Sequence, residues 1–123
     1  MTLADINNIN EPPDYTASFD PNDVQQNRLM GALAYLGILI LVPLFAAKES
    51  PFARFHCNQG LILIIAEVVV NILYRIFKNV PVIGLIIAIV EIALFVLAIL
   101  GIINAAKGKA KELPLIGGIQ ILK

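Results

Sequence analysis

Two carboxylates, Glu67 and Glu91, sit inside long runs of Ile, Val, Leu and Ala, 13 positions before and 11 positions after Val80. A charge in such surroundings is costly and needs a partner, a proton or a job. Two antiparallel helices joined near Val80 would bring the pair within about 3 Å in depth, at about 1.5 Å of rise per residue. Carboxylates that close in an apolar medium share a proton or borrow compensation from neighbours such as Asn71 and Arg75.

Those neighbours belong to a longer stripe. His56, Gln59, Leu63, Glu67, Asn71, Arg75 and Lys78 recur in steps of three or four and fall on one helical face. One reading is interhelical packing, with polar side chains bonding across to other helices. The others are a proton- or ion-responsive relay lining a polar path, and an interface completed by a second copy. Gly84, Ala88, Glu91, Phe95, Ala98, Gly101 and Ala105 form a matching strip of mostly small residues on the next helix. Small residues let backbones approach, which marks Gly84, Ala88, Ala98 and Gly101 as helix-packing positions. Gly31, Ala34 and Gly37 repeat the pattern more weakly on the first segment.

His56 stands near a helix start in Phe55-His56-Cys57-Asn58-Gln59-Gly60. A histidine there can sense pH, or it can bond a carbonyl or a headgroup. The expectation is that His56 and Gln59 stabilise this helix start by bonding the preceding loop or the basic collar at 107–111. One histidine with one cysteine falls short of a zinc site, and Cys57 alone cannot form an intramolecular disulfide. There is no Ser/His/Asp set, no Gly-rich phosphate loop and no Walker-type lysine. The expectation is therefore a non-enzyme with no catalytic residues, no cofactor and no metal.

The elements that must position these groups are set by composition. Of the 123 residues, 59% are hydrophobic and 15% charged, too apolar for a water-soluble domain of this size. The bilayer is the expected solvent and the cell membrane the expected location. The net charge of zero gives no argument for nucleic-acid binding. The fold class predicted is an all-α membrane protein, with three transmembrane helices packed as a small bundle. Residues 1–19, polar and broken by Pro12 and Pro13, read as a disordered acidic tail. Residues 20–123 form the membrane domain, with helices over about 21–47, 53–77 and 81–107. Asp20-Pro21 and Pro81 supply helix starts. Residues 113–122 are apolar but short and hold Pro114, Gly117 and Gly118, so they read as an interfacial segment. With three spans, six basic residues share the side of the C-terminus and three the side of the tail. That bias places the C-terminus in the cytoplasm and the N-terminus outside.

Several stretches together resemble a known group. Ala34-Tyr35-Leu36-Gly37-Ile38, Val42-Pro43-Leu44, Phe52-Ala53-Arg54-Phe55-His56-Cys57-Asn58-Gln59-Gly60-Leu61 and Leu113-Pro114-Leu115-Ile116-Gly117 resemble small bacterial membrane proteins related to the chloroplast inner-envelope import component. Magnetosome membrane proteins that influence crystal growth look like members of the same group. The resemblance covers residues 27–122 and implies a multi-pass membrane protein, with His56 and Gln59 as signature positions. The function expected is helix-helix association, with itself or with another membrane protein, as a scaffold or subunit of a membrane complex. The alternative is a transport or translocation component, its polar route lined by Glu67, Asn71, Arg75 and Glu91.

Overall fold

A computed structural model describes residues 13–116 and 118–122. They are mostly helical, and the only strand-like pairing among them is an antiparallel bridge between Asp14 and Lys111. Two long apolar helices dominate. Helix α4 (Pro51–Phe77, 27 residues) starts at Ser50, whose hydroxyl accepts from Ala53 N–H, with Pro51 in the first turn. Helix α5 (Pro81–Ala106, 26 residues) starts at Pro81. Residues 78–80 turn one into the other, closed by the Val80 N–H on Phe77 O. Each helix is about 40 Å long, apolar and sufficient to cross a bilayer.

The first segment corrects the expectation of a continuous helix over 21–47. It is built from α1 (Pro21–Gln26), α2 (Arg28–Leu33), a 3-10 stretch Gly37–Ile40 and α3 (Leu41–Ala46). Asp20 caps α1 by accepting from Asn22 N–H. Asn27 breaks the run between α1 and α2, and its side chain bonds back to Asp23. The decisive break comes at Gly37, whose φ of +63° is cheap only for glycine. There the chain reverses.

Side-chain neighbours trace both arms of this reversal. On the way in, Arg28 lies against Gly108, Gly31 against Ala105 and His56, and Tyr35 against Gly101. On the way back, Ile40 touches Gly60, and at the end Phe52 N–H donates to the Asp23 carboxylate at 3.0 Å. The segment therefore enters and leaves at the same end of the α4/α5 hairpin, and its tip reaches only the level of Gly60 and Gly101. A third apolar helix is present, Gly37–Ala46, but it is short and re-entrant.

A further expectation changes with it. Residues 13–19, expected within a disordered tail, carry a 3-10 turn (Thr16–Ser18) and pair with the collar through Tyr15 N–H to Ala110 O and Glu112 N–H to Pro13 O. Residues 1–12 lie outside the described residues. The described part of the tail and the collar after α5 are thus neighbours at one end of the hairpin.

Most of the core sits at this terminus end. Ala34, Tyr35, Ile40, Cys57, Leu63, Ala105 and Leu113 form one buried cluster that runs on through Leu94 and Val70 toward the turn, and Val24, Phe52 and Ala110 form a second. Gly60 lets α4 slide under the re-entrant arm: a Cβ there would stand 1.9 Å from the Ala34 carbonyl oxygen. The turn end is bare by comparison. Ile65, Val68, Val69, Ile72, Val82, Leu85, Ile89 and Ile92 all face outward, an apolar surface far too large to leave in water.

Candidate functional site

The second and third turns of α4 carry five consecutive buried residues, and ahead of Gly60 these are His56, Cys57, Asn58 and Gln59. Three of them are polar, and each reaches a distant segment. The carbonyl of Lys109 can only accept, so the 2.9 Å contact makes His56 Nε2 the donor. His56 Nδ1 then accepts from the Tyr35 hydroxyl at 2.6 Å. The Tyr35 oxygen in turn accepts from Gln59 Nε2 at 3.1 Å, and Gln59 Oε1 accepts from Leu113 N–H. Every link has a donor and an acceptor, so this tautomer satisfies the buried network completely. The rings of Tyr35 and Phe52 close over His56 edge to face.

Asn58 works beside them. Its Nδ2 donates to Ile119 O at 2.7 Å, and its Oδ1 accepts from Ile121 and Leu122 N–H. His56, Asn58 and Gln59 thus hold residues 109, 113, 119, 121 and 122 against the early turns of α4. The Asn58 and Tyr35 roles escaped the sequence reading. The available signal was the run His56-Cys57-Asn58-Gln59 at the head of an otherwise apolar helix, where each amide must find a backbone partner.

The predicted acidic pair lies deeper. Glu67 and Glu91 are within hydrogen-bonding reach of each other and line a cleft of about 370 Å³ together with Asn71, Ala98 and the re-entrant tip at Tyr35 and Gly37. Asn71 uses its amide on its own helix, donating to Glu67 O at 2.8 Å. Arg75 is exposed and lies outside that cleft lining. The small-residue strip divides in two. Gly101 is buried under the Tyr35 ring, 2.3 Å from where its Cβ would be, whereas Gly84 has no neighbour within 4 Å of that point and Ala88 is exposed.

At the water-facing end, the hydroxyl and backbone N–H of Thr16 both donate to Asp14 and hold its carboxyl below the usual carboxylate range. Glu112 accepts from Tyr15 and pushes that phenol upward. No trio of His, Cys, Asp and Glu able to hold a metal occurs among the described residues.

With this arrangement established, comparison with known proteins is informative. The sequence model of the magnetosome magnetite crystal formation family matches residues 26–122, from the end of α1 through the rest of the re-entrant segment and the hairpin to the C-terminal strip. The chain belongs to the magnetosome magnetite crystal formation protein family. Magnetosome protein MamF of Paramagnetospirillum magneticum is 33% identical over 90 residues, covering 72% of this chain and 78% of that protein. Magnetosome protein MmsF of the same organism is 33% identical over 92 residues, covering 74% and 82%. A UPF0132 membrane protein of Methanocaldococcus jannaschii is 37% identical over 91 residues, covering 72% and 80%. No solved structure matches. These relatives support the magnetosome side of the resemblance and the membrane setting; the link to the chloroplast import component gains nothing from them.

Proposed function

We propose that this magnetosome-family protein is a non-enzymatic scaffold or subunit of a membrane complex that works by helix-helix association. In this reading α4 and α5 span the bilayer, and residues 24–47 dip in from the face that carries both ends of the domain. Six basic residues, Arg28, Lys48, Arg54, Lys107, Lys109 and Lys111, stand at that face, against Arg75 and Lys78 at the turn. The bias makes it the cytoplasmic face, with both termini inside.

The uncovered outer half of the α5 strip carries the association reading. Tyr35 and Gly31 fill the inner half at Gly101 and Ala105, whereas among the described residues nothing comes within 4 Å of where a Gly84 Cβ would stand and Ala88 is exposed. In lipid, a strip of small residues is where another helix packs closely. Relatives named for magnetosomes and relatives named only as membrane proteins share the matched region, so the common ground is a membrane fold. Sedimentation in detergent tests this reading. Wild type should associate, and Gly84→Leu with Ala88→Leu should shift it toward monomer while Ile86→Leu does not. A monomeric wild type that also crosslinks to no other protein in its native membrane would overturn the reading.

The cleft holding Glu67, Asn71 and Glu91 favours a second reading, a transport component with a polar route. Proton flux in liposomes that falls in Glu67→Gln and Glu91→Gln would establish it. Flux equal to empty liposomes would end it.

A further inference from the structure

A cavity of about 520 Å³ lies at the terminus end, between the 15–19 turn, the early turns of α4 and residues 112, 120 and 122. That size suits a small-molecule ligand. Three segments far apart in sequence build it, and its lining combines three features. Phe19 and Phe55 pack edge to face at 5.8 Å, and Tyr15 and Phe55 at 6.2 Å, giving an aromatic wall. Leu122 adds apolar surface, and Arg54 and Glu112 supply one charge of each sign. Pro51, in the first turn of α4, lines the cavity, so it sits at the level of lipid headgroups when the hairpin spans.

We propose that this cavity binds the headgroup of an amine-bearing phospholipid, the phosphate on Arg54 and the primary ammonium on Glu112, with the start of the acyl chains on Phe55 and Leu122. A guanidinium presents a fork of donors suited to phosphate. Arg54 already interacts within the protein, and its five donors take the phosphate in addition. The opposite lining charges select a zwitterion, since a purely anionic headgroup would face the Glu112 carboxylate uncompensated. Tyr15 and Phe19 each meet Phe55 edge to face, and the Glu112 carboxylate in the lining is the partner for a headgroup amine. A primary ammonium, with three N–H donors for a carboxylate, is a better fit than a quaternary one.

The inference rests on the membrane setting and not on self-association, so its test and the sedimentation test fail separately. Native mass spectrometry of the delipidated full chain in detergent, titrated with short-chain phosphatidylethanolamine, phosphatidylcholine, phosphatidylglycerol and soluble phosphoethanolamine, decides it. One phosphatidylethanolamine per chain should be held about tenfold more tightly than either other lipid, as expected for a charged hydrogen bond. Arg54→Gln should weaken binding about tenfold, and Glu112→Gln should erase the preference over phosphatidylcholine. If Arg54→Gln does not fold by circular dichroism, the lost preference in Glu112→Gln carries the decision. Equal binding of all three lipids, or indifference to Glu112→Gln, overturns the proposal. Phosphoethanolamine binding as tightly as the lipid assigns the cavity to a soluble compound and overturns the lipid source.

Discussion

The Asp23 carboxylate accepts the backbone N–H of Phe52 at 3.0 Å, joining the start of the first apolar segment to the start of α4. Those residues are 29 positions apart in sequence, yet they meet at one end of the molecule. A helix that crossed the bilayer between them would hold them a full membrane thickness apart. This bond caps α4 from outside and closes the re-entrant loop, so one contact reports both local stability and topology. Phe19 and Val24 pack on Phe52 at the same point.

The topology predicts a labelling pattern. In a Cys57→Ser background, single cysteines at Ser18 and at Lys107 should react with an impermeant thiol reagent from the same side of the membrane, and one at Asn79 from the other. With the terminus end cytoplasmic, Asn79→Cys is the one labelled in intact cells. Opposite labelling of the Ser18 and Lys107 positions would restore a three-span arrangement and refute the re-entrant loop.

Close approach at two glycines predicts an asymmetric response to alanine. Gly60→Ala drives a Cβ into the Ala34 carbonyl and should cost about 3 kcal/mol or more, since backbone must move on both sides. Gly84→Ala meets no atom of the chain and should leave thermal stability in detergent within about 0.5 kcal/mol. Equal effects at both sites would contradict the packing described here.

The buried chain from Gln59 through Tyr35 to His56 predicts that Tyr35→Phe is costly although the ring is kept. It strips His56 Nδ1 of its donor and leaves Gln59 Nε2 only its longer 3.5 Å bond to Lys111 O. Leaving such groups unsatisfied in a buried site costs about 1–3 kcal/mol each, so the melting temperature in detergent should fall by several degrees. An unchanged melting temperature would mean that the network carries no net stability.

Much of this was legible in the residues, and what was missed has a physical cause. The start of α5 at Pro81 and the turn at 78–80 follow from capping and length, and the rise sets Glu67 and Glu91 at matching depth, whereas α4 begins at Pro51, ahead of the expected 53, because Ser50 caps it. The run from Leu29 to Ala47 has the length and polarity of a span, so composition alone supports crossing. Whether it crosses depends on Gly37 adopting a left-handed φ, which glycine permits but does not require. Gly31, Ala34, Gly101 and Ala105 lie where the first segment meets the hairpin, and their spacing does not encode that the partner is an arm that turns back. Residues 13–19 looked too polar to fold, but backbone bonds to the collar decide their place, and side-chain composition does not encode them.

Docking of that tail should depend on pH at both extremes. The folded Asp14 is held below its ordinary value of 3.8, so its contribution is present above about pH 4 and is lost as pH falls through the folded value. Tyr15 is raised above its ordinary 10.0 by Glu112, so its contribution is present below about pH 10 and is lost as pH rises further. Amide exchange at Tyr15 and Glu112, whose N–H groups bond Ala110 and Pro13, should stay protected between those limits and loosen outside them once corrected for intrinsic rates. Thr16→Val should move the acid edge upward. Protection that ignores both edges would assign the docking to packing alone.

The acidic pair gives the sharpest test of the interior. Glu67 and Glu91 line the same cleft from facing helices and reach each other, so cysteines in their places, with Cys57→Ser, should form a disulfide within one chain on mild oxidation. Arg75 stands away from that cleft, so Arg75→Cys paired with Glu91→Cys should link far less. Re-entrant packing adds a second expectation, because Tyr35 closes the inner wall of the cleft. Disulfide yield should therefore survive Tyr35→Phe, which keeps the ring on Gly101, and fall with Gly101→Leu, which displaces it and the arm that carries it. Efficient links between chains with none inside one would move the two carboxylates to a shared interface and make the second copy part of the site.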